Sequence, residues 1–128
     1  MAGNEITRRI LVVDDEPELR LLLARRFELE GYAVVTAADG QEALDACLSQ
    51  GCRFDLILSD ARMPRLEGLA LFAALRREGC GKIPFVLMSG DPGSIHADDS
   101  ISPKPAAYLA KPFCFQDAVA LLPRFSAS

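Results

Sequence analysis

The sequence predicts an α/β fold in which a parallel sheet is covered by helices on both faces. Three observations carry that prediction. Five short apolar runs recur along the chain without apolar–polar alternation, the pattern of strands buried on both sides. Most of the intervals between them show helical periodicity. Gly31, Gly51 and Gly79 each follow such an interval, where a left-handed helix stop belongs.

In chain order, the first strand is expected at Ile10 to Val13. From Glu16 to Glu30, Leu19, Leu22, Leu23 and Phe27 share one face, while Arg20, Arg25, Arg26 and Glu28 can turn to water. Asp15 is placed to cap this helix. The second strand is Ala33 to Val35. The second helix is Gly40 to Gln50, capped by Asp39, with Ala43, Leu44, Cys47 and Leu48 as its stripe. A third strand at Leu56 to Leu58 leads to a helix from Leu66 to Arg77, where Leu69, Phe72 and Leu75 recur every three residues. Strands at Phe85 to Met88 and Tyr108 to Ala110 follow, then a last short helix from about Phe115 to Leu122.

The interval Asp91 to Pro105 breaks the pattern. It holds Pro92, Gly93, Pro103 and Pro105, with Ile95, Ala97 and Ile101 as its apolar candidates. Proline removes a donor and clashes with the preceding turn. The fourth helix is therefore expected to be short or mobile, with one or two turns at most between Ser94 and Ser102. Strand–helix alternation with right-handed crossovers leaves few topologies. The doubly wound, flavodoxin-like order 2-1-3-4-5 is the expected one.

The chain has 128 residues, the size of one domain, with an expected core from about residue 8 to residue 125. Its net charge is −4, which argues against direct nucleic-acid binding, since phosphate contacts need a basic excess. No apolar run approaches the ~20 residues of a membrane span. The first ten residues carry Glu5, Arg8 and Arg9 and no apolar core, so no cleavable leader is expected. These readings predict a soluble cytoplasmic protein with no membrane partner. Cys47, Cys52, Cys80 and Cys114 form no C-x-x-C pair, and His96 is the single histidine. The cysteines are expected to be reduced, small apolar residues.

In an open parallel sheet, ligands bind outside the carboxyl ends of the strands. After the first strand come Asp14, Asp15 and Glu16; after the third, Ser59 and Asp60. Ser89 and Gly90 follow the fourth, and Lys111 and Pro112 follow the fifth. Asp15 and Glu16 are explained equally well as acids offsetting a helix dipole. That explanation does not reach Asp60, Ser89 and Lys111, each directly after an apolar run. Two carboxylates ~4 Å apart repel by ~4 kcal/mol at an effective dielectric near 20, and a divalent cation relieves this. An all-oxygen set suits Mg²⁺. Lys111 supplies a point charge for a phosphoryl oxygen, Ser89 a small donor, and Asp60 a nucleophilic carboxylate. The group reads as a site for Mg²⁺-assisted phosphoryl transfer onto an aspartate.

Four motifs share this arrangement: ILVVDDEP from Ile10 to Pro17, SDARMP from Ser59 to Pro64 with Gly68 beyond it, MSG from Met88 to Gly90, and YLAKPF from Tyr108 to Phe113. Together they resemble a response-regulator receiver domain of two-component signalling, over about Ile10 to Phe125. The resemblance implies that Asp60 is the phosphoacceptor. It implies that Asp15, Asp60 and the backbone carbonyl of Arg62 bind Mg²⁺ directly, with Asp14 acting through a water. Ser89 would move to bond the phosphoryl group, Tyr108 would swing inward behind it, and Lys111 would hold the phosphoryl oxygens. The Lys111–Pro112 peptide is expected to be cis. Where the family usually has Gly-Ala before the tyrosine, this chain has Lys104 and Pro105, so the family's usual signalling face is altered here.

The expected function is a phosphorylation-controlled switch. The phosphoryl donor would be a histidine kinase or a histidine phosphotransfer protein, and the output would pass by contact to an unknown protein target. Self-phosphorylation and slow self-dephosphorylation would be its only chemistry. Two alternatives stand beside it. One is a phosphatase using Asp60 as nucleophile, which would want a second acid where Arg62 stands. The other is a phosphorylation-independent interaction module. Arg62 and Asp91, each two positions past a site residue, could also pair across the pocket mouth and hinder hydrolysis.

Overall fold

The structure is a computed structural model that describes residues 8–90 and 105–120. The expected fourth helix, Asp91, His96, Lys104 and the end of the last expected helix lie outside the described residues. The described elements run β1 (Arg9–Val13), α1 (Pro17–Leu29), β2 (Ala33–Ala37), α2 (Gly40–Ser49), β3 (Leu56–Asp60), α3 (Gly68–Arg77), β4 (Phe85–Ser89), β5 (Ala107–Ala110) and α4 (Phe115–Val119). The strands form one parallel sheet in the order β2-β1-β3-β4-β5, as the alternation predicted.

Alternating side chains of each strand point to opposite faces, so a strand covered on both faces must be apolar throughout. Leu11, Val13, Ile57, Phe85 and Leu87 meet Ala43 and Cys47 of α2 and Leu71, Phe72 and Leu75 of α3 on one face. Ile10, Val12, Leu56, Leu58, Val86 and Met88 meet Leu23 and Phe27 of α1 and Ala118 of α4 on the other. Every residue of β3 and β4 is buried. The expectation of burial on both faces fails for β2 and β5, which are partly exposed because they are the sheet's two edges.

The helices follow the predicted periods with local corrections. In α1 the buried stripe is Leu23, Ala24 and Phe27, with Leu19 half-buried against it. Leu22 stands 56% exposed, because it falls on the margin of the inward arc. Asp15 does not cap α1. The cap position is Glu16, it makes no side-chain cap bond, and Pro17 opens the helix with its pre-set φ. Asp39 caps α2 as expected, accepting a hydrogen bond from the Glu42 amide at 2.9 Å. The ring of Phe115 in α4 lies 4.9 Å from that of Phe27, and the Arg26 guanidinium lies over the same ring, 4.7 Å from its centroid.

The expectation of four reduced cysteines is overturned as well. Cys52 and Cys80 are joined in a disulfide, with their Cα atoms 5.4 Å apart, rather than standing as separate thiols. Sequence spacing concealed the pair because 28 positions, a full strand and helix, separate them. Cys47 and Cys114 are free thiols, the first buried and the second exposed.

Two close approaches bring the α2 and α3 starts against the loop after β3. A Cβ on Gly40 would collide with the backbone carbonyl of Leu66. A Cβ on Gly68 would sit 2.5 Å from the Asp60 carbonyl oxygen and 2.6 Å from a Leu87 methyl. Backbone cannot yield as a side-chain tip can, so Gly68→Ala should destabilise the fold by about 1–3 kcal/mol. Urea denaturation of the variant checks this, and an unchanged midpoint would contradict the packing.

Candidate functional site

The register of the sheet sets the site. Val13 pairs with Ser59, so Asp14 and Asp60, the next residues of β1 and β3, come level at adjacent strand ends. Asp60 pairs with Met88, and Ser89 pairs with Ala110, so Lys111 emerges just beyond Ser89. The Lys111 amide donates to the Ser89 carbonyl at 2.7 Å, and the Lys111–Pro112 peptide is cis, as expected.

Lys111 reaches back across the strand ends. Its Nζ lies 3.0 Å from Asp14 Oδ2, 3.3 Å from Asp60 Oδ1 and 3.8 Å from Glu16 Oε1. Asp14 is fully buried, and each of its polar atoms has a purpose. Oδ1 accepts from the Glu16 amide at 2.9 Å, the backbone carbonyl accepts from Arg20 at 2.8 Å, and Oδ2 takes the lysine. A buried charge is tolerable when it is paired and hydrogen-bonded in this way.

Asp60 is also buried, at 8% exposure. Burial pushes its carboxyl up to about 6; Lys111 opposes that shift, while Asp14 and Asp15 reinforce it. Burial works against the Lys111 ammonium, but its bonds to Asp14 and its attraction to Asp60 prevail and hold its pKa above the ordinary value. Asp15, in contrast, is exposed.

Carboxylate oxygens of Asp14, Asp15 and Asp60 lie within 4.8 Å of one another. Asp15 and Asp60 face an open pocket of about 480 Å³, lined also by Glu16, Ala61, Arg62, Ser89, Gly90 and Lys111, with Asp14 buried behind them. A cluster of hard oxygen ligands reached through an open pocket suits a dication that keeps waters, and so fits Mg²⁺. Ser89 and Lys111 both line this pocket.

The structure brings together Asp14, Asp15, Asp60, Ser89, Lys111 and the Arg62 segment. Tyr108 is half-buried on β5, opposite Leu87, and packs on the α2–α3 side of the core. The Arg62–Asp91 pair falls outside the described residues because Asp91 does. The supporting roles of two residues escaped the sequence reading. Ser59 is fully buried, and its hydroxyl donates to the Asp60 carbonyl at 3.0 Å. A buried serine inside an apolar strand was the available signal. Arg20 was read as a solvent-facing residue, but its guanidinium anchors Asp14; no sequence signal separates it from Arg25 or Arg26.

The raised Asp60 carboxyl has a measurable consequence. A carboxyl whose folded pKa exceeds its ordinary value opposes folding once ionised. Its burden is absent well below the ordinary value of 3.8 and grows as pH rises through about 6. Without divalent cations, Asp60→Asn should therefore raise stability at neutral pH by on the order of 1–2 kcal/mol. The gain should vanish toward acid, where Asp60 is itself neutral. Urea melts across pH check this; a gain that persists unchanged into acid would contradict it.

Comparison with known proteins places this geometry. Residues 10–122 match the model of the response regulator receiver domain. The response regulator MprA of Mycolicibacterium vanbaalenii is 38% identical over 119 residues, covering 88% of this chain and 47% of the relative. MprA of Mycobacterium tuberculosis matches at the same identity and coverage. The chain thus spans about half the length of the curated relatives it matches. Among solved structures, the response regulator TrrA of Thermotoga maritima, in complex with Mg²⁺–BeF, superposes with a TM-score of 0.80 at 32% identity, covering 93% of this chain and 99% of that one. The receiver domain of a Pseudomonas aeruginosa sensor histidine kinase, with magnesium in its active-site cleft, superposes at 0.82 with 28% identity, covering 96% of this chain and all of that one (100%). Sequence, strand order and strand-end chemistry agree, and this chain belongs to the response regulator receiver domain family.

Proposed function

We propose that this receiver domain is phosphorylated on Asp60 and signals through protein contact. The observation that carries the reading is the Lys111 ammonium held between two buried carboxylates at the rim of an oxygen-lined pocket. That charge set suits the receipt of a phosphoryl group on a carboxylate and has no structural need to be buried.

Asp60 supplies the nucleophile. A carboxylate oxygen attacks phosphorus, the new P–O bond forms in line with the breaking P–N bond of a phosphohistidine, and the leaving imidazole takes up a proton. The proposed donor is a histidine kinase or a histidine phosphotransfer protein. Asp15, Asp60 and the Arg62 carbonyl would hold Mg²⁺, with Asp14 acting through water. When bound, Mg²⁺ supplies positive charge that screens the phosphoryl oxygens from the carboxylates.

Lys111 keeps its bond to Asp14 and offers its remaining donors to the phosphoryl oxygens. Ser89, at the end of β4 and on the pocket wall, donates its hydroxyl to another. The half-buried Tyr108 follows Ser89 inward. The single domain is proposed to extend over the whole chain, with its core from about residue 8 to residue 125. A cytoplasmic location is consistent with the absence, among the described residues, of any helix long and apolar enough to cross a membrane. The exposed Arg62 stands where an aspartate-based phosphatase would want its second acid, so self-modification fits better than turnover of external substrates.

Intact mass after incubation with Mg²⁺ and a small acyl phosphate tests the proposal. One phosphoryl adduct, abolished by Asp60→Asn and by chelation of the metal, supports it. Steady phosphate release from external esters would make the domain a phosphatase, and neither adduct nor turnover would make it a phosphorylation-independent module. Lys111→Ala should slow adduct formation by roughly 10²-fold, the usual scale for removing a preorganised charge partner of the reacting group. An unaltered rate would remove Lys111 from the mechanism.

A further inference from the structure

The ends of β3 and β4 opposite the pocket carry chemistry that phosphoryl transfer does not use. α2 and α3 end in the same way. Gly51 and Gly79 adopt positive φ of 66° and 88° just past their helices. The Cys52 amide donates back to the Cys47 carbonyl at 2.8 Å, and the Cys80 amide to the Leu75 carbonyl at 2.8 Å. The glycine amides donate to Leu48 and Arg76 at 3.3 Å each. These are two copies of one helix stop in which the residue after the glycine folds back toward the helix it has left.

α2 and α3 are neighbours on the same sheet face, so repeating the stop places Cys52 and Cys80 side by side. Their Cα separation of 5.4 Å lies within the range that a disulfide spans without moving backbone. Cys80 is 2% exposed and closes the edge of the α2–α3 core, while Cys52 is half-buried and more open to solvent. Of the two other thiols, Cys47 is a poor competitor because burial pushes it up to about 11, so it is scarcely ionised, while Cys114 is exposed at the start of α4 and is the thiol against which the pair must be tested.

We propose that Cys52 and Cys80 form a reversible redox modification site, oxidised by small-molecule disulfides of the glutathione class. The Cys52 thiolate attacks one sulfur of the small disulfide, forming a mixed disulfide and expelling one thiolate. Cys80, after losing its proton, attacks the Cys52 sulfur and expels the second. The protein loses two electrons and two protons, and the small disulfide is reduced to two thiols. The closed bond encloses all of β3 with Asp60 and all of α3. It joins the strand ends opposite to Asp60 and Ser89, so its effect falls on folding stability and not on the phosphoacceptor pocket. This inference stands independently of the phosphorylation reading.

The full-length chain is equilibrated in buffers of stepped reduced-to-oxidised glutathione ratio, quenched with acid, alkylated and weighed. Two alkylation sites should disappear together as the ratio falls, and proteolytic fragments should show a Cys52–Cys80 cross-link. The double variant Cys47→Ala/Cys114→Ser should titrate as the wild type does. Closing a loop of this size should lower the unfolded fraction of the oxidised form roughly 10²-fold and raise its melting temperature by about 10 °C over the reduced form. Cys52→Ser should melt with reduced wild type in every buffer. A bond that survives excess reduced glutathione would be a fixed structural link and would overturn the proposal. So would a cross-link through Cys47 or Cys114, persistence of both thiols in oxidised glutathione, or equal melting of the two forms. Because wild type supplies both redox states, a misfolded variant leaves the test intact.

Discussion

The structure turns on one charge, the Lys111 ammonium, held between the carboxylates of Asp14 and Asp60. The register of β1 against β3 forces those two acids to adjacent positions at the carboxyl end of the sheet. Alone they would repel by several kcal/mol at the effective dielectric of a protein. Burial makes that worse by withdrawing water, which is why the Asp60 carboxyl is raised despite the lysine. A cation from β5 relieves the conflict only if it spans β4, and the cis peptide after Lys111 accompanies that reach. The remaining strain in charge is what a dication and a phosphoryl group are suited to relieve together.

The surroundings hold this constellation rigidly. Asp14 has its carboxylate and carbonyl bonded to three partners, so little is left to move. The Asp60 backbone is fixed by the Ser59 hydroxyl on one side and by the close passage of Gly68 on the other. The Ala61 amide donates to the Met88 carbonyl, and the Gly68 amide to the Ala61 carbonyl, so the loop after β3 continues the order of the sheet. Met63 inserts into the core beneath it. Preorganisation of this kind is what lets a fixed charge act on a reacting group without further rearrangement. Asp15 and Arg62, in contrast, stay exposed at the mouth of the pocket.

The sheet is chemically polarised. Its carboxyl ends gather acids, a hydroxyl and an amine; at its amino ends the approaches to β3 and β4 are tied by sulfur. Both ends arise from one repeated unit of strand, helix and glycine stop. The same repetition that aligns Asp14 with Asp60 aligns Cys52 with Cys80. This separates the phosphoacceptor chemistry from the covalent link by the full length of β3, so either end can change without rebuilding the other.

By itself, the sequence determined the strand order, the helix stops and the main site residues, because each depends on local patterning. Apolar runs reveal buried strands, glycines mark helix ends, and Asp60, Ser89 and Lys111 stand directly after strands whose ends must meet. Tertiary structure alone decided which acid is sequestered: Asp14 and Asp15 are neighbours in sequence, yet one is fully buried and the other exposed. It decided that Arg20 anchors Asp14 while Arg25 and Arg26 lie exposed on the same helix. It showed that Leu22 leaves the core stripe and that β2 and β5 lie half-open as edges. It also brought together two cysteines that spacing alone kept apart. These outcomes depend on how helices seat on the sheet and on which strands lack a neighbour, and neither is written in the local period of the chain.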